Sequence, residues 1–216
     1  MNYFFYFLLS HFIGDYFLQT NFIARYKNSK ISVLLLHVSL IYLSMLIIIF
    51  PKNITNHILI LSLTGIHLLI DTFKFKYKNK KFFKGSHYYL FDQILHLTSL
   101  MIISYFFKPQ SFFFPQKYAL IISLGLFNAY FIGILSSFIF NDITKYTKDK
   151  LGYILRFSIP FMLNPFLILS SVPVYSYIYY KHYKKSTNKS LEEVLFSLYW
   201  SYLITLLIII TSEVKL

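Results

Sequence analysis

Two apolar stretches each carry a histidine and an aspartate four residues apart, in opposite order: His67-Leu-Leu-Ile-Asp71 and Asp92-Gln-Ile-Leu-His96. Residues four apart on an α-helix lie one above the other on one face. Two consecutive membrane-crossing helices run antiparallel, so the reversed order sets histidine beside histidine and aspartate beside aspartate. A similar pair, His11 and Asp15 followed by Gln19, comes earlier, and a lone His37 lies on the segment between. Imidazole nitrogens and carboxylate oxygens bind Zn²⁺ at about 2.0–2.2 Å, and the same donors suit Mn²⁺ or Fe²⁺. His67, Asp71, Asp92, His96, His37 and Asp15 are therefore candidate ligands of a divalent metal. Asp15 and His37 are also candidates for a general base. Three arrangements fit these donors: one closed site, one ion with outer carboxylates, or a two-metal site. The competing reading is a network of Asp–His hydrogen bonds that joins helices. Gln19 and Gln93 are candidates to orient ligands. Lys74, three residues after Asp71, is either its ion-pair partner or an anion-binding charge for a phosphate or carboxylate.

The chain that must position these groups has 216 residues, of which 56% are hydrophobic and only 13% charged. Soluble domains average about 25% charged residues, and a mean hydropathy of +0.56 points to an integral membrane protein. The formal net charge of +13 does not imply nucleic acid. Lys and Arg fall between the apolar segments, where the positive-inside rule expects them. With no cysteine, disulfides, thiolate metal sites and cysteine nucleophiles are excluded. The first apolar segment has neither a basic lead-in nor a small-residue cleavage site, so it is expected to be a retained span.

Segments suited to spans of about 20 residues are Tyr3–Ala24, Ile31–Phe50, Ile58–Phe75, Tyr88–Phe107, Tyr118–Phe140, Phe157–Tyr180 and Val194–Thr211. Basic residues cluster in Arg25–Lys30, in Lys74–Lys84, and at Lys145, Lys148, Lys150 and Arg156. These loops are expected in the cytoplasm, with the N-terminus outside. The segment Phe157–Tyr180 holds Pro160, Asn164-Pro165 and Pro173, and prolines interrupt a helix by removing a donor and clashing with the preceding turn. The expected fold is an all-α, polytopic transmembrane bundle of about six full spans, plus one proline-broken segment that is re-entrant or interfacial. It forms a single transmembrane domain over 1–216, in which 1–107 is a four-helix half carrying the His/Asp layer and 108–216 supplies supporting helices.

Depth tests whether the ligands share one level. At about 1.5 Å per residue from the cytoplasmic helix ends, Asp15, His67 and His96 lie ~12–14 Å deep, His37 ~9 Å, and Gln19, Asp71 and Asp92 ~6–8 Å. His11 falls a turn or more deeper and is the outlier. Gly14, beside Asp15, is expected to permit close helix packing. A carboxylate at mid-span costs roughly 2.5–3.5 kcal/mol, so three of them require partners or a metal ion.

The same residues resemble a bacterial membrane family known as "domain of unknown function 3307". The matching elements are Leu9-Ser-His11-Phe-Ile-Gly-Asp15-Tyr-Phe-Leu-Gln19, Leu36-His37, His67-Leu-Leu-Ile-Asp71-Thr-Phe-Lys74 and Phe91-Asp92-Gln93-Ile-Leu-His96. They cover about the first half of the chain. The resemblance implies a bacterial cytoplasmic-membrane protein and brings no activity with it. From the residues, the leading expectation is a membrane-embedded, metal-dependent hydrolase acting on a lipid-like or membrane-associated substrate from the cytoplasmic side. The alternatives are a proton- or cation-coupled transporter or channel, in which the His and Asp residues relay ions, and a non-enzymatic membrane anchor or regulator.

Overall fold

The apolar segments fold as helices because a helix pairs its backbone donors and acceptors within the segment, as a lipid environment demands. The computed structural model describes residues 3–77, 85–140, 150–186 and 190–211, and among these residues there is no strand. Asn141, Asp142, Lys145, Lys148, Lys189 and the basic run at 78–84 lie outside the described residues. Four runs of helix are long and apolar enough to cross a membrane: Ile31–Ile49, Ile54–Tyr77, Gln116–Phe140 and Glu192–Thr211. The chain divides into two compact units, Met1–Leu120 and Ile121–Leu216.

In the first unit α1 (Phe4–Phe12) continues into a π turn (Ile13–Phe17), followed by the short α2 (Asn21–Tyr26). The Thr20 hydroxyl caps α2 by accepting from the Ile23 amide at 3.3 Å. Next come α3 (Ile31–Ile49), α4 (Ile54–Tyr77) and α5 (Ser86–Phe106). Asn53 caps α4, its Oδ1 accepting from the Asn56 amide at 2.9 Å. Helices α1, α3, α4 and α5 close a ring, with α1 against α3 and α5, α3 against α4, and α4 against α5.

Which face each helix turns inward follows from where its polar residues fall. The buried stripe of α4 is Asn56, Ile60, Leu63, Thr64, His67 and Asp71, at the three- and four-residue spacing of one helical face. Its outward face carries Ile58, Leu61, Leu69 and Phe73, all exposed. On α5 the buried positions include Tyr88, Asp92, His96, Ser99 and Ile103, while Phe91, Ile94, Met101 and Ile102 face outward. The polar stripes meet at the centre of the ring and the apolar faces point away. This is the sense expected of helices solvated by lipid, where ionisable groups turn to the bundle interior.

The second unit holds most of α6 (Gln116–Leu126), a second π turn (Phe127–Ile132), α7 (Gly133–Phe140), α8 (Lys150–Ser158), a 3₁₀ turn (Ile159–Met162), α9 (Pro165–Ser186) and α10 (Leu191–Thr211). The break expected within Phe157–Tyr180 is present. Leu163 takes a left-handed conformation with φ of 55°, and the Asn164 side chain accepts from the Phe166 amide at 2.8 Å to start α9 at Pro165. Pro173, in contrast, is carried inside α9.

Arg156 differs from its expected place in a cytoplasmic loop, because it is buried in α8. A π turn shifts backbone pairing from the α to the i→i+5 pattern and leaves carbonyls for outside donors. The Arg156 guanidinium uses them: Nε donates to the Asn128 carbonyl at 3.2 Å and Nη2 to the Ala129 carbonyl at 3.4 Å. Nη1 donates to the Ser197 hydroxyl at 3.1 Å and the Tyr179 hydroxyl at 3.3 Å. Counting charges between spans cannot separate such an arginine from a solvated one.

Candidate metal centre

The mirrored motifs bring histidine to histidine as their order requires. The rings of His67 on α4 and His96 on α5 stack with centroids 4.1 Å apart. Asp71, one turn along α4, reaches both: its Oδ2 lies 3.4 Å from His67 Nε2 and its Oδ1 3.8 Å from His96 Nε2. His96 Nε2 is also 3.9 Å from Asp92 Oδ1. Both aspartates thus flank the imidazoles at one level.

Helix α3 adds His37, fully buried, with Nε2 3.4 Å from Asp71 Oδ2 and 3.3 Å from Asp15 Oδ1. Asp15 can come so close because Gly14 lets the π turn lie directly on α3. A Cβ on Gly14 would stand 2.8 Å from Ile41 Cα and 2.9 Å from Ile41 Cγ1. The packing role expected of Gly14 is therefore present.

Three residues join the cluster in ways the sequence did not disclose. Lys27, just beyond α2, places Nζ 3.3 Å from Asp15 Oδ1 and 3.0 Å from His37 Nε2. In sequence it is one more basic residue in the Arg25–Lys30 loop, and only the fold-back of α2 brings it inward. His11, the outlier by depth, packs its ring 5.5 Å from that of His67 and 5.4 Å from that of His96. Ideal α-helical rise placed it too deep: the π turn fits an extra residue into its coil, and an imidazole reaches along the axis. Tyr16, within the π turn, donates its hydroxyl to Gln93 Oε1 at 2.9 Å and lies 2.9 Å from the Tyr89 hydroxyl.

Gln93 passes this chain inward, its Nε2 donating to Asp92 Oδ2 at 3.4 Å. Lys74 pairs with that same oxygen at 2.9 Å. Asp92, rather than the expected Asp71, is thus its partner, because the antiparallel α5 presents Asp92 at the Lys74 level while Asp71 turns to the histidines. Gln19 is half-buried with Oε1 lacking a hydrogen-bond partner among the described residues, and no hydrogen bond among them ties it to the cluster.

Three of the five imidazole–carboxylate contacts have a spacing that suits two ligands on one ion, and the two made by His96 are wider. Good N–H···O bonds run 2.7–3.2 Å, whereas the imidazole–carboxylate separations here are 3.3–3.9 Å. Two donors held tetrahedrally on one ion at about 2.0–2.1 Å lie about 3.3–3.4 Å apart. Several buried atoms have no hydrogen-bond partner among the described residues, including His67 Nε2, Asp71 Oδ2 and Asp92 Oδ1. An orphaned buried polar atom costs about 1–3 kcal/mol, and an ion bound between them would remove that cost. Two groups have one donor atom from each residue, all within 4.8 Å: Asp15, His37 and His67, and His67, Asp71 and His96. These buried groups could hold a metal ion.

A family profile described as "Protein of unknown function (DUF3307)" matches residues 3–123. The chain belongs to this family. Every residue of the cluster, from His11 to His96, falls inside the region matched by DUF3307, and so does the whole ring of α1, α3, α4 and α5. No curated protein and no solved structure matches the chain.

Proposed function

We propose that the protein is a metal-dependent hydrolase of the bacterial cytoplasmic membrane, acting from the cytoplasmic side, with its N-terminus outside. The observation that carries this reading is the convergence of buried His67, Asp71 and His96 donor atoms within 4.8 Å of one another, with His67 Nε2 and Asp71 Oδ2 both lacking a hydrogen-bond partner among the described residues. His67, Asp71 and His96 would hold the ion, with Asp92 beside them. A divalent ion in such a site lowers the pKa of water toward neutrality and polarises a carbonyl or phosphoryl oxygen.

The chain's own groups supply the rest. Asp15 sits across Asp71 from the proposed ion, where a proton leaving water would be received. Gln93 and Lys74 fix Asp92. Burial falls from the centre outward: the His37 side chain is 0% exposed, that of Lys27 is 12% and that of Lys74 is 20%. Access therefore comes from the lysine end, and a substrate entering there meets two ammonium groups. This supports an anionic ester or amide with apolar substituents, such as a lipid-like phosphate or carboxylate compound. The apolar Phe17 and Phe73 exposed on the unit's surface suit a bilayer as its surroundings. The nitrogen and oxygen donors suit Zn²⁺, Mn²⁺ or Fe²⁺.

The test is metal content by mass spectrometry of detergent-purified wild type, Asp71→Ala and His96→Ala. Stoichiometric metal in the wild type and its loss in both variants is the expected result. Equal, substoichiometric metal in all three would refute the reading.

A further inference from the structure

We propose that the Lys27 ammonium stands in for a second metal ion at Asp15 and His37, so that the centre holds a single divalent ion. This rests on the metal reading above. The donors form two groups that share His67: His67, Asp71 and His96, and Asp15, His37 and His67; with His67 kept by one ion, Asp15 and His37 remain for a second, with Asp71 between. Its Oδ1 lies toward His96 and its Oδ2 toward His37 and His67, as a carboxylate bridging two ions would.

Lys27 occupies the second position by geometry. Its Nζ is 3.0 Å from His37 Nε2 and 3.3 Å from Asp15 Oδ1, the two atoms an ion there would need. An imidazole nitrogen has one lone pair, so a nitrogen accepting from an ammonium has none left for a metal. Lys74 does not act this way, because its ion pair among the described residues is with the Asp92 carboxylate, not with an imidazole.

Charge points the same way. Asp15, Asp71 and Asp92 carry three negative charges against two positive on Lys27 and Lys74, leaving one negative with neutral imidazoles. One dication takes the cluster to +1, whereas two would take it to +3 in a buried site where uncompensated charge is costly. Removing Lys27 both frees the His37 lone pair and lowers the charge by one.

The experiment loads detergent-purified protein with MnCl₂, removes free ion, and counts Mn²⁺ per chain, with electron paramagnetic resonance of the bound ion. Wild type and Lys27→Arg are expected to hold about one ion, and Lys27→Ala and Lys27→Gln about two, with the spin-coupled signal of ions about 3.5–4 Å apart. Lys27→Gln keeps the side-chain length and serves if Lys27→Ala does not fold. Adding His37→Ala to either is expected to return the count to about one. One ion in both neutral variants overturns the inference while leaving the metal reading intact. No ion in the wild type overturns the metal reading itself. A double variant that still holds two ions would place the second ion elsewhere and refute the position assigned to Lys27.

Discussion

Gly14 is where packing and the candidate centre meet, and replacing it with alanine tests that link. A Cβ there would lie 2.8 Å from the Ile41 α-carbon, whereas carbon atoms pack best at about 3.5–4.0 Å. The π turn and α3 must therefore separate by about 0.7 Å or more. No rotamer change relieves this, because the obstructing atom is backbone. Overpacking of this kind costs typically 1–3 kcal/mol, and at roughly 2–4 °C per kcal/mol for a chain of this size the midpoint should fall by about 2–12 °C. The same separation carries Asp15 away from His37, stretching the 3.3 Å contact to about 4 Å, too long for a direct interaction. The His67, Asp71 and His96 donors lie on α4 and α5, so bound metal should remain near the wild-type amount. Thermal unfolding of purified Gly14→Ala in detergent, followed by far-ultraviolet circular dichroism, measures the shift. An unchanged midpoint would refute the claim that Gly14 sets the approach of these two elements.

Two further substitutions probe the charges. Lys74→Met removes the ammonium 2.9 Å from Asp92 and leaves a buried carboxylate with the long Gln93 hydrogen bond and the more distant His96 imidazole. A fully buried pair would lose 3–5 kcal/mol, so a partly exposed lysine should cost about 1–3 kcal/mol, read by thermal unfolding, with Lys74→Arg close to wild type. In the second unit, Gly133→Ala would set a Cβ 2.6 Å from Arg156 Nη2. The guanidinium is pinned by two backbone carbonyls, so the variant should unfold about 1–3 kcal/mol more easily, whereas alanine at Gly65, where a Cβ meets nothing within 4 Å, should match or exceed the wild type.

The spacing of histidine and aspartate decided most of the centre in advance. A four-residue interval on a helix admits one relative placement, and reversing it on an antiparallel neighbour admits one meeting of rings. His67, Asp71, Asp92 and His96 therefore assemble as their order implies, and depth alone drew in Asp15 and His37. The inward turn of these stripes was also legible, since lipid solvates apolar faces and rejects charged ones.

Tertiary structure decided what local periodicity does not encode. The π turns at Ile13–Phe17 and Phe127–Ile132 are departures from α-helical pairing with no compositional mark. One draws His11 into the layer and sets Asp15 against α3, and the other opens carbonyls to Arg156. Lys27 and Arg156 are indistinguishable in sequence from charges left in water, because burial depends on where a short helix folds back and not on residue type. Lys74 likewise had two carboxylates within reach, and only the register of α4 against α5 selected Asp92. Local sequence chose the chemistry of the candidate ligands, and packing between helices chose which cations pair with them.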